Sequence, residues 1–99
     1  MMIVGIMDVH LRLTSARSLK DKRQIIKSLL ARLRSRFGVA AAEIDFNDVW
    51  QRARLGIACV AGTEFQARKI MKAIARDIEA SQEAEVIEIT AEFISPGEN

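Results

Sequence analysis

Apolar and polar residues alternate along four segments of this chain, and a period of two predicts β-strands because successive strand side chains point to opposite faces. The four segments are residues 3–13, 39–46, 52–61 and 85–94. In the first segment, Met7, Val9 and Leu11 fall on one face, whereas Asp8 and His10 fall on the other. Each strand is therefore predicted to bury one face and to expose the other.

Two further segments repeat apolar residues at intervals of three and four, which predicts amphipathic helices. The first runs over residues 18–37, with Ser18 as its N-cap and Gly38 as its C-terminal stop. The second runs over residues 64–80 and begins with a capping box of Thr63 and Gln66. The predicted buried stripes are Leu19, Ile26, Leu29, Leu30, Leu33 and Phe37 on the first helix, and Phe65, Ile70, Met71, Ile74 and Ile78 on the second.

The resulting order, βαββαβ, predicts an α+β sandwich of the ferredoxin-like kind, with two helices covering one face of a four-stranded antiparallel sheet. Right-handed crossovers then give the strand order 4-1-3-2. A length of 99 residues allows one domain, residues 1–99, in which residues 95–99 are expected to form a frayed tail.

The alternation also predicts which side chains lie on the open face of the sheet. They are Asp8, His10 and Arg12 on the first strand, Glu43 and Asp45 on the second, Arg52 and Arg54 on the third, and Glu88 and Glu92 on the fourth. The opposite parity, facing the helices, includes Ala40, Ala42, Ile44 and Phe46 on the second strand and Ile87, Ile89, Ala91 and Phe93 on the fourth. Basic and acidic strands are then neighbours, which favours ion pairs between strands.

Composition excludes several classes of protein. The single cysteine, Cys59, forms no internal disulfide and is expected to be a buried thiol in a reducing compartment. One histidine and one cysteine leave no zinc or iron–sulfur site, and no cofactor is indicated. No apolar stretch approaches the 18 residues of a membrane span, and the N-terminus lacks the basic region of a signal peptide. A cytoplasmic protein is expected.

The formal net charge of +2 conceals an uneven distribution. Residues 12–36 contain nine basic residues and one acid, a net charge of +8. From Asp77 onward there are seven acids and no bases. The first helix and the loop before it are therefore the place where a negatively charged partner is expected.

The first helix carries a predicted phosphate-binding surface. Lys20, Arg23, Lys27 and Arg34 fall within about 60° of one another at 100° per residue. Near the helix N-terminus, where the dipole and free N–H groups favour an anion, the set also includes Arg17, Ser18 and Lys22. Such a surface is typical of RNA-phosphate binding. The alternative is a solvated helix face whose cations pair with the protein's own acids.

Trp50 marks a predicted second surface, because its parity places it near His10, Arg52 and Arg54. There it would stack a base or anchor a protein partner, or else cover the end of the core. The paired aromatics that RNA-recognition domains expose on their central strands are absent, so base-specific readout on the sheet is not expected. His10 has no serine or cysteine nucleophile placed beside it, so no catalytic residue is indicated.

Six segments carry a resemblance to a known family: Val4–Gly5, Ser18–Arg23, Phe37, Glu43, Asp48–Ala53 and Leu55–Gly56. The chain resembles the YlxP-like family, a bacterial group of unknown function, most specifically through Ser18–Arg23. The resemblance implies a ferredoxin-like fold and a gene near those of translation initiation factor two and ribosome-binding factor A. That context implies association with RNA or the ribosome, and it implies no catalytic residues.

Three functional hypotheses follow. The leading one is a non-catalytic module that binds RNA or the ribosome through its basic first helix. The second is a homo-oligomer, such as a homodimer, assembled through the open sheet face. The third is a small hydrolase resembling acylphosphatases, for which Arg17 supplies a cation; the glycine-rich loop is missing, however, and Asn47 lies in a predicted turn.

Overall fold

The sheet and helices appear in the predicted order in the computed structural model, which describes residues 1–97. The elements are β1 (Ile3–Leu13), α1 (Leu19–Phe37), β2 (Ala40–Asp45), β3 (Arg52–Ala61), α2 (Glu64–Glu79) and β4 (Ala84–Ile94). The antiparallel strands lie in the order β2-β3-β1-β4, which is the predicted order counted from the other edge. The ferredoxin-like fold is confirmed. Of the predicted tail, residues 98 and 99 lie outside the described residues.

Side-chain caps fix where the helices begin and end. The Ser18 hydroxyl accepts the backbone N–H of Asp21 at 3.1 Å, and the Thr63 hydroxyl accepts that of Gln66 at 3.1 Å. Gly38 ends α1 with a left-handed φ of +63°, a conformation that glycine adopts without strain. The N-caps Ser18 and Thr63 and the stop at Gly38 are thus confirmed.

The core lies between the helices and one face of the sheet. Val9 and Leu55 on the two central strands, Leu33 on α1 and Ile74 on α2 have no exposed surface. Each such side chain contributes about 1.5–3 kcal/mol to the hydrophobic stabilisation of the fold. Within residues 1–97, neither helix has both the length and the apolar character needed to cross a bilayer.

Phe65 does not belong to the buried stripe of α2, so that prediction was wrong. It is 76% exposed, whereas Ala67, Met71, Ile74 and Ile78 are buried. Phe65 precedes Ala67 by two residues, which places it about 160° away around the helix. Phe65 was therefore included in the predicted apolar stripe although it lies on a different face of α2 from the buried residues.

Up to Ile44 the two faces of β2 are the reverse of the predicted ones, whereas Asp45, after a register shift, pairs with Arg54 on the open face as predicted. Ala41 pairs with Ile57 and Glu43 pairs with Leu55, so the odd-numbered residues Ala41 and Glu43 face the helices. Ile44 lies instead over the open face. Because alanines occupy both parities of β2, the prediction depended on its larger apolar residues, Ile44 and Phe46. In the structure Glu43 lies beside α1 instead, and this places Ile44 on the open face.

A register shift in β4 corrects the prediction for Ile87. His10 of β1 pairs with Glu88, but the next residue, Leu11, pairs with Val86. Ile87 is the extra residue of this bulge and is 49% exposed. One inserted residue reverses the parity of the strand, which a strict period of two does not anticipate.

Candidate nucleic-acid interface

The two flanks of α1 have different partners, which shows where the basic stripe of Lys20, Arg23, Lys27 and Arg34 lies. On one flank Arg34 donates from Nε and Nη2 to the carbonyl of Ala41 in β2, at 3.1 and 2.6 Å. On the other, Arg32 and Arg36 bind Asp77 of α2 at 2.8 and 2.6 Å. The stripe that contains Arg34 therefore lies on the flank turned toward β2 and away from α2.

Four cations on this side of the molecule keep their charge available. They are Arg17, Lys20, Arg23 and Lys27, hereafter the α1 basic surface; all four are exposed, and none takes part in an ion pair among residues 1–97. Of the acids in the last quarter of the chain, Asp77 pairs with arginines on the opposite flank of α1, and Glu85 pairs with Arg12. Within the described residues, the protein's own acids do not pair directly with the α1 basic surface.

Part of the N-terminus of α1 is occupied by the protein's own groups. Asp21 Oδ2 accepts the backbone N–H of Arg17 at 3.1 Å, while the N–H of Asp21 is bound by Ser18. The structure therefore reassigns Ser18 from anion binding to helix capping. The N–H of Asp21, one of the groups expected from the sequence to be free, is therefore not available to a phosphate.

Lys22 is not an anion-binding residue, and the structure corrects that prediction. Its side chain has no exposed surface; Nζ donates to the carbonyl of Phe46 at 2.6 Å and lies 2.5 Å from Glu43 Oε2. Lys22 thus ties the first turn of α1 to the end of β2. Arg34 has a similar role at the other end of the helix, because two of its donors bind Ala41.

The charged residues of the open face pair with one another across β1 and β3. Arg54 binds Asp8 through two hydrogen bonds of 2.8 Å, and these bonds together with the charge of Asp8 raise the pKa of Arg54. Arg52 donates to His10 Nε2 at 3.1 and 2.8 Å, which requires this nitrogen to be unprotonated. The predicted pairing between strands is seen, and it occupies three of the four residues of the second surface.

Phe46 joins this cluster, contrary to its predicted place in the core. Its ring stacks on His10 with centroids 5.2 Å apart, and the Arg52 guanidinium carbon lies 4.4 Å from its centroid. Within residues 1–97, no stacking or cation–π contact joins Trp50 to His10, Arg52 or Arg54. Trp50 lies instead with Arg12 and Arg17 around a cavity. The structure therefore divides the predicted second surface in two.

The part of the chain that the structure describes contains no group of three His, Cys, Asp or Glu side chains that could hold a metal ion. Cys59 is buried, and Asn47 lies in the turn after β2.

Comparison with known proteins identifies a family. Residues 4–91 match the family described as "Protein of unknown function (DUF503)". The chain is 32% identical over 83 residues to the uncharacterised protein YlxP of Bacillus subtilis (strain 168), covering 84% of this chain and 90% of that protein.

Two solved structures share the fold. The de novo designed protein Foldit4 has a TM-score of 0.60 at 12% identity, covering 96% of this chain and 98% of its own. The de novo designed protein LFR1 1 with ferredoxin fold has a TM-score of 0.54 at 17% identity, covering 99% and 89%. At these identities the likeness concerns the fold alone.

Proposed function

The chain belongs to the DUF503 family of proteins of unknown function, and we propose that it is a non-catalytic, cytoplasmic RNA-binding module. RNA phosphates, on free RNA or on the ribosome, are the proposed ligands. The observation that carries the proposal is the α1 basic surface, whose four exposed cations have no acidic partner among residues 1–97.

The energetics of the surface support this proposal. Four like charges side by side repel one another, which disfavours the folded state unless counterions or a polyanion screen them. Phosphates spaced along an RNA strand supply such screening, and the released counterions add to the affinity. In a protein without an anionic partner, neighbouring acids would stabilise these cations. Residues 12–36, however, contain one acid, Asp21, and its carboxylate binds the backbone N–H of Arg17.

The proposal predicts that a Lys20→Glu, Arg23→Glu double variant binds RNA at least about tenfold more weakly. Two lost phosphate contacts should also make the negative slope of log K against log salt shallower by about 1.4–1.8. The measurement is fluorescence anisotropy of a labelled RNA hairpin with a single-stranded tail, over a series of salt concentrations.

The matched control is Lys69→Glu, Lys72→Glu, which makes the same change in charge at two exposed positions of α2. This variant should retain most of the affinity because its substitutions lie away from the α1 basic surface. Equal losses of RNA affinity in both variants would show that the effect depends on net charge and not on the position of the cations. Unchanged binding in the α1 variant would refute the proposed role of this helix.

A second candidate function, homodimerisation, is favoured by the apolar half of the open sheet face. On that half Ile6, Ile44, Val60 and Ile94 are 39–67% exposed. Val4 is paired with both Val60 and Ile94, so the patch crosses three strands. A second copy would cover these side chains by packing sheet against sheet around a two-fold axis.

This second candidate predicts that the native chain has the mass of two 11.1 kDa chains by light scattering, and that Val60→Lys is a monomer. Val60 is 67% exposed, so lysine there should disturb the interface without unfolding the chain. Phe65→Lys is the control, since Phe65 is 76% exposed on α2, outside the sheet face. A native monomer at high protein concentration would contradict the dimer.

A further inference from the structure

A cavity of about 470 Å³ opens where β1 ends, between the loop before α1 and the start of β3. Its walls include Arg12, Thr14, Arg17, Trp50 and Gln51. The volume falls within the range of about 300–1,000 Å³ that is usual for small-molecule sites. It also brings Trp50 together with Arg17, a member of the α1 basic surface.

The cavity combines an aromatic wall with one cation that has no acidic partner among residues 1–97. The carbonyl of Gln51 accepts the N–H of Leu13 at 2.7 Å, which extends the β1–β3 ladder and anchors the residue after Trp50. Arg12 is held by Glu85 through contacts of 3.1 Å from Nη2 to both carboxylate oxygens. Arg17 has no acidic partner among residues 1–97, so it supplies the uncompensated positive charge.

We propose that this cavity holds one unpaired nucleotide of a single-stranded RNA, with its base stacked on Trp50 and its phosphate at Arg17. Trp50 is 38% exposed. An accessible indole offers a flat face for any base, and stacking of this kind tolerates all sequences. Arg17 lies both on the cavity wall and at the start of the α1 basic surface, so the RNA strand continues from the cavity along Lys20 and Arg23. The inference rests on the proposed function and adds the preference for single strands.

The chain reports on this site through its own fluorescence, because Trp50 is its single tryptophan and it contains no tyrosine. An oligouridylate and a blunt RNA duplex of equal length should be titrated while the emission of Trp50 is followed. The oligouridylate should quench Trp50 and bind about tenfold more tightly than the duplex. Trp50→Leu should lose about tenfold in affinity for oligouridylate, measured by anisotropy, and little for the duplex.

Two further variants keep the test independent of folding. Trp50→Phe retains an aromatic face and should keep most of the affinity, whereas Arg17→Ala should lose affinity for oligouridylate. Polyglutamate serves as the competing acidic ligand. Quenching by polyglutamate equal to that by oligouridylate would overturn the nucleotide assignment in favour of an acidic peptide.

The experiments distinguish an error in the proposed nucleotide site from an error in the proposed RNA-binding function. The nucleotide site is refuted, and the role of the α1 basic surface is retained, if two results are found together. Trp50→Leu and Trp50→Phe both bind oligouridylate as tightly as the native chain, and the Lys20→Glu, Arg23→Glu double variant still binds RNA more weakly. If neither RNA binds in a salt-dependent manner, both proposals fall.

Discussion

Lys22→Met is expected to lower the free energy of unfolding by about 3 kcal/mol. Removing one partner of a buried ion pair usually costs about 3–5 kcal/mol, because the remaining charge is left without compensation. The lower end applies here, since the Glu43 side chain keeps 16% exposure while that of Lys22 has none. For a domain of this size the loss corresponds to a fall in Tm of about 12–24 °C.

The geometry explains why methionine does not suffice at this position. The well-oriented hydrogen bond of the ammonium goes to the Phe46 carbonyl, and its charge faces Glu43. Glu43 Oε2 makes no hydrogen bond within residues 1–97, so the charge of Lys22 is what offsets the burial of this oxygen. Methionine fills a similar volume but leaves Glu43 Oε2 without a compensating charge. It also removes one of the two hydrogen bonds to the Phe46 carbonyl, which keeps the N–H of Val49 at 3.0 Å.

Urea denaturation of three variants checks this account. Lys27→Met, the same substitution at an exposed position of α1, should change the free energy of unfolding by no more than about 0.5 kcal/mol. Lys22→Met, Glu43→Leu should recover much of the loss, because no charge remains buried. A double variant as unstable as Lys22→Met alone would show that packing around the lysine stem, and not the ion pair, sets the cost.

The segment Arg17–Arg23 shows how much could be predicted from sequence. Its capping residues were predictable, because a hydroxyl before a helix has one favourable use and the structure confirms it. Its four cations looked equivalent in sequence, since a lysine carries no mark of burial. The structure separates them: Lys22 points into the protein, whereas Arg17, Lys20 and Arg23 remain exposed.

The missed feature is a contact between distant parts of the chain. Glu43 faces the helices on a strand whose alanines are compatible with either parity, and only Lys22, 21 residues earlier, makes that orientation favourable. The register shifts near Ile44 and Ile87 have the same character, since they depend on the partner strand. The periodicity of a strand depends on its own sequence and contains no information on how the strand pairs with its neighbour. The fold was therefore predictable, whereas these local details of the surface were not.

Gly5→Ala is expected to lower the free energy of unfolding by about 1–3 kcal/mol, the usual cost of overpacking a core. Gly5 lies on a central strand between Cys59 and Phe93, its partners on β3 and β4. A Cβ at this position would lie 2.9 Å from Cys59 Sγ, 3.1 Å from Met71 Cε and 3.3 Å from Phe93 Cε1. Neighbours on three elements would have to move to admit one methyl group.

A control and a second background isolate the close approach as the cause. Gly62→Ala should be neutral or stabilising by up to about 1 kcal/mol, because its Cβ would meet Gln66 Oε1 at an ordinary 3.7 Å. In a Cys59→Ala background the cost of Gly5→Ala should fall by about 1 kcal/mol, since the nearest obstructing atom is gone. An unchanged cost would mean that alanine is unfavourable at Gly5 for a reason other than contact with Cys59, and would direct attention to Met71 and Phe93.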